Sequence, residues 1–381
     1  MKVIFVVNSF VNKVGNVGYR IGKIIDKAHM SGSDVTVVAR GSENINSDIK
    51  RHTPGVLGNI PRLIKAIQIH LFKGLNYRYI DIKIFEFYFL FVFYILMKEQ
   101  RKYKGKKIAH LVEPSPVILK HLKKYNFIVI LDLAIAPSSY VKCLKEKGQG
   151  NGFFYNEKID KYERACIKLS SYIATPSQFV FEEVNKIGTD AHLFIEPFGV
   201  DRKEVVVNRL DNCKVKFCFA GVINHRKGVD ILLEAWGDPE FNDSELHLCG
   251  KITPEIQTIL NEKKFSNIYL PGFVDIQSYM AKCDIYVFPS ILEGSSKSTY
   301  EAMAMSLPVI TTFESGSLVE HFKSGLIVEK IDVDSLKNAM LLLKRDKVLR
   351  ENLSKNALEI VRKFTWDDYA KRYLELYKEV I

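Results

Sequence analysis

The 381-residue sequence has no C-x-x-C pair. Its six cysteines, Cys143, Cys166, Cys213, Cys218, Cys249 and Cys283, lie far apart. Zinc ribbons and thioredoxin-like redox motifs need closely spaced thiols, so both are set aside, and reduced buried thiols in a cytosolic protein are the expectation. Proline (12) and glycine (22) are too sparse for a disordered or collagen-like chain, while 47% hydrophobic residues suffice for packed cores. No apolar run reaches the roughly 20 residues that a membrane-spanning helix requires. The run IFEFYFLFVFYILM at 84–97 is short and contains Glu86. The opening MKVIFVVNSF has no small-residue cleavage pattern and reads as a first strand, not a signal peptide. No helix-turn-helix, zinc-finger, RNP or OB signature accompanies the basic stretches, so nucleic acid is not an expected partner.

What is present points to two domains, since the chain is well over twice the roughly 150-residue domain prior. Lys plus Arg number 55 against 44 Asp plus Glu, a net charge of +11. That balance favours a polyanion, an anionic lipid face or phosphorylated small molecules. Residues 2–7 (KVIFVV), a Gly-containing loop, a helical pattern from Arg20 to His29 and VTVVAR at 35–40 make a β-loop-α-β opening. A second opening begins near 215 with VKFCFAG, the loop NHRKG, the helical stretch Val229 to Trp236 and ELHLCG at 245–250. Strand-like and helical segments then alternate through NIYLPGF (267–273), IQSYMAKC (276–283), DIYVFPS (284–290), TYEAMAM (299–305), PVITT (308–312) and GLIVE (325–329). IAHLVE (108–113), FIVILDLAI (127–135) and YIATPS (172–177) supply further strands in the first half. The pattern predicts two Rossmann-like units with parallel sheets, joined near EPFGVDRKE at 196–204. Trp366, Tyr369, Tyr373 and Tyr377 fall at helical spacing in the last stretch, which is expected to pack as core.

Residues 59–107 interrupt this rhythm. PRLIKAIQIHLFK (61–73) separates basic from apolar residues as an interfacial helix does, and KEQRKYKGKK follows the apolar run at 84–97. Two readings stay open: a helix buried against the first sheet, or a surface that docks on anionic membrane through basic residues such as Lys102, Lys104 and Lys106.

The chemistry concentrates in FPSILEGSSKSTYEAMAMSLPVITT at 288–312. A strand ending at Ser290, a Gly/Ser-rich loop and a helix starting near Ser298 present successive backbone N–H groups and a positive helix end to an anion. Glu301 in the first helical turn is placed to meet a hydroxylated group beside that anion, although a helix-dipole partner has the same spacing. Arg226 and Lys227 occupy the strand-to-helix turn of the second unit, where a fork and a point charge suit a diphosphate. Asp332-Val333-Asp334 has the form of a metal-binding D-x-D, but its context IDVDSLKNAM reads as helix capping, and no metal is expected.

These segments together, GVINHRKGVDILLEA at 221–235, LPGFV at 270–274, the Glu293/Glu301 pair, PVITT, SGSLVEH and GLIVE, resemble the retaining glycosyltransferases of the GT-B fold, glycosyltransferase family 4 (group 1). The resemblance covers the second half and implies an α/β architecture of two Rossmann-like domains facing an interdomain cleft. The expected boundaries are 1–200 for the acceptor domain and 201–364 for the nucleotide-sugar domain, with 365–381 returning to the first. It further implies that Lys227 with Arg226 holds the donor diphosphate and that the loop of Gly294, Ser295, Ser296, Lys297, Ser298 and Thr299 contacts phosphate and sugar. Glu301 then takes the ribose, Glu293 lies by the reacting centre, and the backbone around Phe273 meets the base beside Gly221.

Where many members carry an arginine after the glycine matching Gly221, this chain has Val222, and Arg226 must supply that charge. Where many carry a histidine after a first-domain strand, Asp132 stands here, with His110 one strand earlier. The loop with Gly15, Asn16 and Gly18 falls where the family brings acceptor and donor phosphate to the first helix. The implied activity is metal-independent, cofactor-free hexosyl transfer from a UDP- or GDP-sugar to a glycan or lipid-linked acceptor. That places the protein in the cytoplasm or peripherally on the inner membrane face, in polysaccharide or envelope synthesis. A non-catalytic sugar-nucleotide-binding or membrane-docked partner is the alternative class.

Overall fold

The computed structural model describes residues 1–13, 17–54, 77–100, 105–150, 153–201, 203, 214–329 and 331–381. Gly15, Asn16, Cys213, PRLIKAIQIHLFK, Lys102 and Lys104 lie outside them. The chain divides into two compact units, one of Met1–Gly150, Phe154–Glu196 and Trp366–Ile381, the other containing Pro197–Thr365.

In the first unit seven strands pair in parallel: β1 (Lys2–Val11), β2 (Asp34–Ser42), β3 (Lys50–His52), β4 (Lys107–Leu111), β5 (Phe127–Asp132), β6 (Tyr172–Thr175) and β7 (His192–Ile195). Their order is β3-β2-β1-β4-β5-β6-β7. Val3 to Val7 are fully buried, as a central parallel strand covered on both faces requires. The order reverses between β1 and β4, and ligands of such sheets bind beyond the carboxyl ends of strands at that switch.

The C-terminal helix Trp366–Glu379 buries Trp366, Tyr369, Tyr373 and Tyr377. It packs on the helix Val17–Met30, where Lys27 Nζ meets Asp367 at 2.5 Å and Tyr19 stands edge-on to Trp366 at 5.5 Å. Gly18 sits on that helix where a Cβ would lie 2.0 Å from the Phe10 carbonyl oxygen, so only glycine lets helix and β1 approach this closely.

The apolar run at 84–97 lies in the helix Tyr77–Gln100, whose two sides differ. Phe85, Phe89, Val92, Phe93 and Leu96 are buried, while Phe87, Phe91, Tyr94 and Ile95 are exposed. Glu86 belongs to the packed side: Ser115 Oγ donates to its Oε1 at 2.5 Å, Lys83 Nζ donates to Oε2 at 3.0 Å, and the Tyr162 hydroxyl donates as well. Among the described residues no helix is long and apolar enough to cross a membrane.

The second unit holds six parallel strands: β8 (Lys216–Ala220), β9 (Glu245–Cys249), β10 (Ile268–Gly272), β11 (Ile285–Phe288), β12 (Val309–Thr312) and β13 (Gly325–Val328). They are ordered β10-β9-β8-β11-β12-β13, with the switch between β8 and β11. Trp236 stacks on Phe241 at 4.9 Å over Phe217 in a continuous core. The helix expected over 276–283 stops at Met280, because the amides of Lys282 and Cys283 turn back to carbonyls three residues earlier and the chain enters β11.

Candidate active site

At the β8/β11 switch, Gly221 follows β8 with φ 140°, and Lys227 lies over it: a Cβ there would stand 3.2 Å from Lys227 Nζ. The 3-10 turn His225–Lys227 is capped by Asn224, whose Oδ1 accepts from the Lys227 amide at 3.1 Å. Gly228 ends the turn at φ 67°, and a Cβ there would approach the Pro289 carbonyl oxygen to 2.1 Å. That contact sets the Val229–Trp236 helix directly against the loop after β11.

Arg226 Nη1 and Lys227 Nζ both reach Glu293 Oε1, at 3.0 and 2.9 Å. Arg226 also donates to the Leu292 carbonyl at 2.6 Å, while the Ile291 amide donates to the Arg226 carbonyl. Burial lowers the Lys227 pKa below its ordinary value against the opposing pull of Glu293, and Arg226 adds to the lowering. Two cations converge on one carboxylate, which leaves the cluster with an excess positive charge that suits an anion.

The loop after β11 is pinned from behind. The Glu293 amide donates to the Glu314 carbonyl and the Ser296 amide to the Ser315 carbonyl, both near 3 Å, and Thr312 Oγ1 donates to Ser290 O at 2.5 Å. Ser295 Oγ pairs with Tyr300 at 2.6 Å, and Thr299 Oγ1 donates to Ser296 O at 2.7 Å. These ties hold the helix Lys297–Ala304, which begins one residue before the sequence reading placed it, with its amino end at the strand termini. Gly294 precedes Ser295 in this loop, and Lys297 Nζ lies 3.2 Å from Glu301 Oε1. Burial raises the Glu301 pKa, with Lys297 opposing.

Glu301, Ser298, Gly221 and Phe273 line one cavity of about 310 Å³. The structure therefore gathers the expected donor residues into two adjoining groups on one strand switch: the Arg226–Lys227–Glu293 cluster and the Glu301 cavity. Val222, Gly272 and Val274, read from the sequence as neighbours of Gly221 and Phe273, also line this cavity, as do Gly250, Lys251 and Ile276, which sequence reasoning did not single out. The glycine closing ELHLCG was the available signal, because a strand-end glycine permits close approach to a ligand.

The first unit carries its own cavity, of about 380 Å³, at the β1/β4 switch. Asn8 and Ser9 of β1, Glu113 and Pro114 after β4, Asp132 to Pro137 after β5, Arg78 and Glu163 contribute to it. Arg78 Nη2 lies 3.6 Å from Glu113 and 3.9 Å from Glu163, and the Ser138 amide donates to Glu163 at 2.7 Å. Burial raises both glutamate pKa values. Arg78, Glu113 and Glu163 were not singled out from sequence; only Glu113, closing IAHLVE, carried a strand-end signal.

Asp132 has a second role besides lining that cavity. Its carboxylate is 2% exposed, accepts from Arg20 Nη1 at 2.5 Å and lies 2.9 Å from His110 Nε2. Arg20 Nη1 also donates to the Tyr369 hydroxyl at 2.7 Å, and His110 Nδ1 is 2.7 Å from the Tyr377 hydroxyl. Burial alone would raise the Asp132 pKa, but Arg20 and His110 pull it down to about 2. Asp132, expected as a strand-end group able to meet a sugar hydroxyl, lines the cavity of the first unit while its carboxylate is engaged by Arg20 and His110, so that it also ties β4 and β5 to two helices. His110 is fully buried within that cluster. Asp332 caps the helix Val333–Arg345, its Oδ1 accepting from the Ser335 amide at 2.8 Å.

Two parallel sheets with sites at their switch points define the class, the GT-B architecture. The solved sucrose-phosphate synthase of Thermosynechococcus elongatus superposes with a TM-score of 0.72 over 100% of this chain and 99% of that one, at 18% identity. Residues 214–346 match the family model of Glycosyl transferases group 1, and the second unit is a group 1 glycosyl transferase domain. An uncharacterized glycosyltransferase of Methanocaldococcus jannaschii, MJ1178, is 35% identical over 167 residues, 42% of this chain and 47% of that protein. The N,N'-diacetylbacillosaminyl-diphospho-undecaprenol alpha-1,3-N-acetylgalactosaminyltransferase of Campylobacter jejuni is 33% identical over 115 residues, 30% of this chain and 31% of that protein. The chain thus spans about half or less of the length of these curated relatives.

Proposed function

We propose that this protein is a retaining glycosyltransferase that moves a hexose from a UDP- or GDP-linked sugar to a hydroxyl of a glycan or lipid-linked acceptor in polysaccharide or envelope synthesis, without metal or cofactor. The observation that carries this reading is the convergence of Arg226 and Lys227 on Glu293 beside the Glu301 cavity. The bond from the anomeric carbon to the diphosphate oxygen breaks, and a bond to the acceptor oxygen forms on the same face. The acceptor proton passes to the departing phosphate oxygen. Arg226 and Lys227 counter the charge that develops on the diphosphate, a contribution that grows towards the transition state. Glu301 accepts from the ribose diol, and the amino end of the helix Lys297–Ala304 faces phosphate and sugar. The carboxylates of Glu113 and Glu163 suit hydroxyl-bearing acceptors, because an ionised carboxylate only accepts hydrogen bonds.

Calorimetric titration with UDP, GDP, ADP and their hexose conjugates, in buffer containing EDTA, tests the donor half of this reading. Micromolar binding of a UDP or GDP compound that falls at least about tenfold in Lys227→Ala and in Glu301→Ala is expected, about 1.4 kcal/mol or more for each contact. Absence of binding to every nucleotide would overturn this reading and move the protein to a degenerate, non-catalytic member or a membrane-docked partner.

A further inference from the structure

The Glu301 cavity holds a cation that takes no part in the cluster on Glu293. Lys251 stands one residue beyond Gly250, at the carboxyl end of β9, and lines the same cavity of about 310 Å³ as Gly221, Phe273 and Glu301. Its backbone is fixed. The Ile223 amide donates to the Lys251 carbonyl at 2.8 Å and Ile223 pairs with Ile252 in a parallel bridge, so the chains leaving β8 and β9 stay joined beyond the strands. Gly250 permits this, because a Cβ there would meet the Gly221 carbonyl oxygen at 2.0 Å.

The other polar side chains of the cavity are already engaged. Lys297 Nζ lies 3.2 Å from Glu301 Oε1, and Ser298 Oγ lies 3.3 Å from Ser296 Oγ. Among the described residues the exposed Lys251 ammonium has neither a hydrogen bond nor an ion pair. The walls around it are apolar, with Val222, Val274, Ile276 and Phe273, the last 86% exposed. Such walls with one uncommitted donor suit a planar ring that is apolar on its faces and polar at its edge, which describes a nucleobase. The diphosphate has its own cations in Arg226 and Lys227, which converge on Glu293.

The edge of the base decides the match, because an ammonium donates hydrogen bonds and accepts none. Uracil carries a keto oxygen at C4 and guanine one at C6, both acceptors, where cytosine and adenine carry an amino group that itself donates. Lys251 completes a hydrogen bond with the first pair. Against the second it sets donor to donor.

We propose that Lys251 is a specificity-determining residue of the donor site, selecting nucleoside diphosphates whose base presents a keto group, uracil or guanine, over those that present an amino group, cytosine or adenine. This rests on the transferase reading and deepens it, since it names the side chain that chooses among donors.

The test is calorimetric titration of the full chain with UDP against CDP and with inosine diphosphate against ADP, pairs that keep the ring and exchange a keto for an amino group. Inorganic pyrophosphate serves as the control for charge. In whichever ring binds, the keto partner should be tighter by about tenfold or more. Lys251→Met keeps an unbranched stem and removes the donor, so it should bring that ratio to within about threefold, with the pyrophosphate affinity and melting temperature of the wild type retained. Lys251→Arg still donates and should keep the preference. A wild-type ratio near one, or a ratio that Lys251→Met leaves intact, overturns the proposal. So does a loss in Lys251→Met shared equally by every nucleotide and by pyrophosphate, which would make the ammonium a phosphate contact. Binding of no nucleotide overturns the transferase reading and this selection with it, whereas binding without a keto preference overturns the selection alone.

Discussion

At the β1/β4 switch the Asp132 carboxylate is almost wholly buried and is answered by Arg20 and His110, while at the β8/β11 switch the Glu293 carboxylate is shared between two partly exposed cations, Arg226 and Lys227. The first cluster is closed: Arg20 and Asp132 balance, and the tyrosines of the C-terminal helix complete it. The second is open, with one cation in excess beside a cavity. Buried, balanced charges restrict conformation; exposed, unbalanced ones bind. Two switch points of the same topology therefore divide the labour, one holding architecture at its floor and the other presenting charge at its mouth.

The sharpest way to break this contrast is at Asp132. Asp132→Asn leaves Arg20 buried opposite a neutral amide and should destabilise by about 3–5 kcal/mol in urea unfolding, whereas Arg20→Met/Asp132→Leu should recover most of that loss. The pH dependence has a definite sign. Because the folded-state pKa is depressed from 3.8 to about 2, the contribution is fully present above the ordinary carboxylate range. It is lost as pH falls through about 4 towards 2, on the order of 2 kcal/mol in all. Asp132→Asn should flatten that window. A loss below about 1 kcal/mol with transfer abolished would return Asp132 to the reacting centre.

A smaller effect is expected at Gly228. Alanine there meets both a left-handed φ of 67° and the Pro289 carbonyl oxygen at 2.1 Å. Gly148 at φ 74° has open space around it and supplies the control. Gly228→Ala should cost about 2 kcal/mol or more and weaken nucleotide binding, because the turn carries Lys227; Gly148→Ala should cost about 1 kcal/mol and leave binding unchanged. Equal penalties at the two sites would show that Gly228 serves backbone freedom alone and not the approach of turn to loop.

The second unit was the more legible in the sequence. Its strand-turn-helix segments are short, apolar and separated by glycines, so Val229–Trp236 and the strands ending at Ala220 and Phe288 lie where periodicity put them. Arg226 and Lys227 are adjacent, and Glu293 and Glu301 flank a single loop, so local spacing showed each pair; the two pairs lie in separate strand-turn-helix segments, and only the resemblance to the glycosyltransferase family joined them. β3 and β7 escaped notice because KRH and HLFI are edge strands with little apolar alternation to read. The Asp132 hub was illegible for a different reason. Arg20 and Asp132 stand 112 positions apart, and Tyr377 lies 267 from His110, so only the folded sheet brings them together. The run at 84–97 left two readings open because composition cannot show which face is covered; the helix has one of each.

The finest test of the open cluster uses protons. Burial lowers the Lys227 pKa and Glu293 resists that lowering, so Lys227 loses its charge at a lower pH than an ordinary lysine and keeps it longer than it would without Glu293. Diphosphate affinity should therefore fall on an alkaline limb, about tenfold once the ammonium is neutral, and Lys227→Arg should remove the limb because a guanidinium stays charged. Glu293→Gln decides what the carboxylate does. As the counter-ion that raises the lysine pKa, its loss must move the limb to lower pH, while affinity at neutral pH rises or holds because the diphosphate no longer competes with a carboxylate for the same two cations. A limb that stays in place would make Glu293 a bystander to Lys227 and leave its function at the sugar alone.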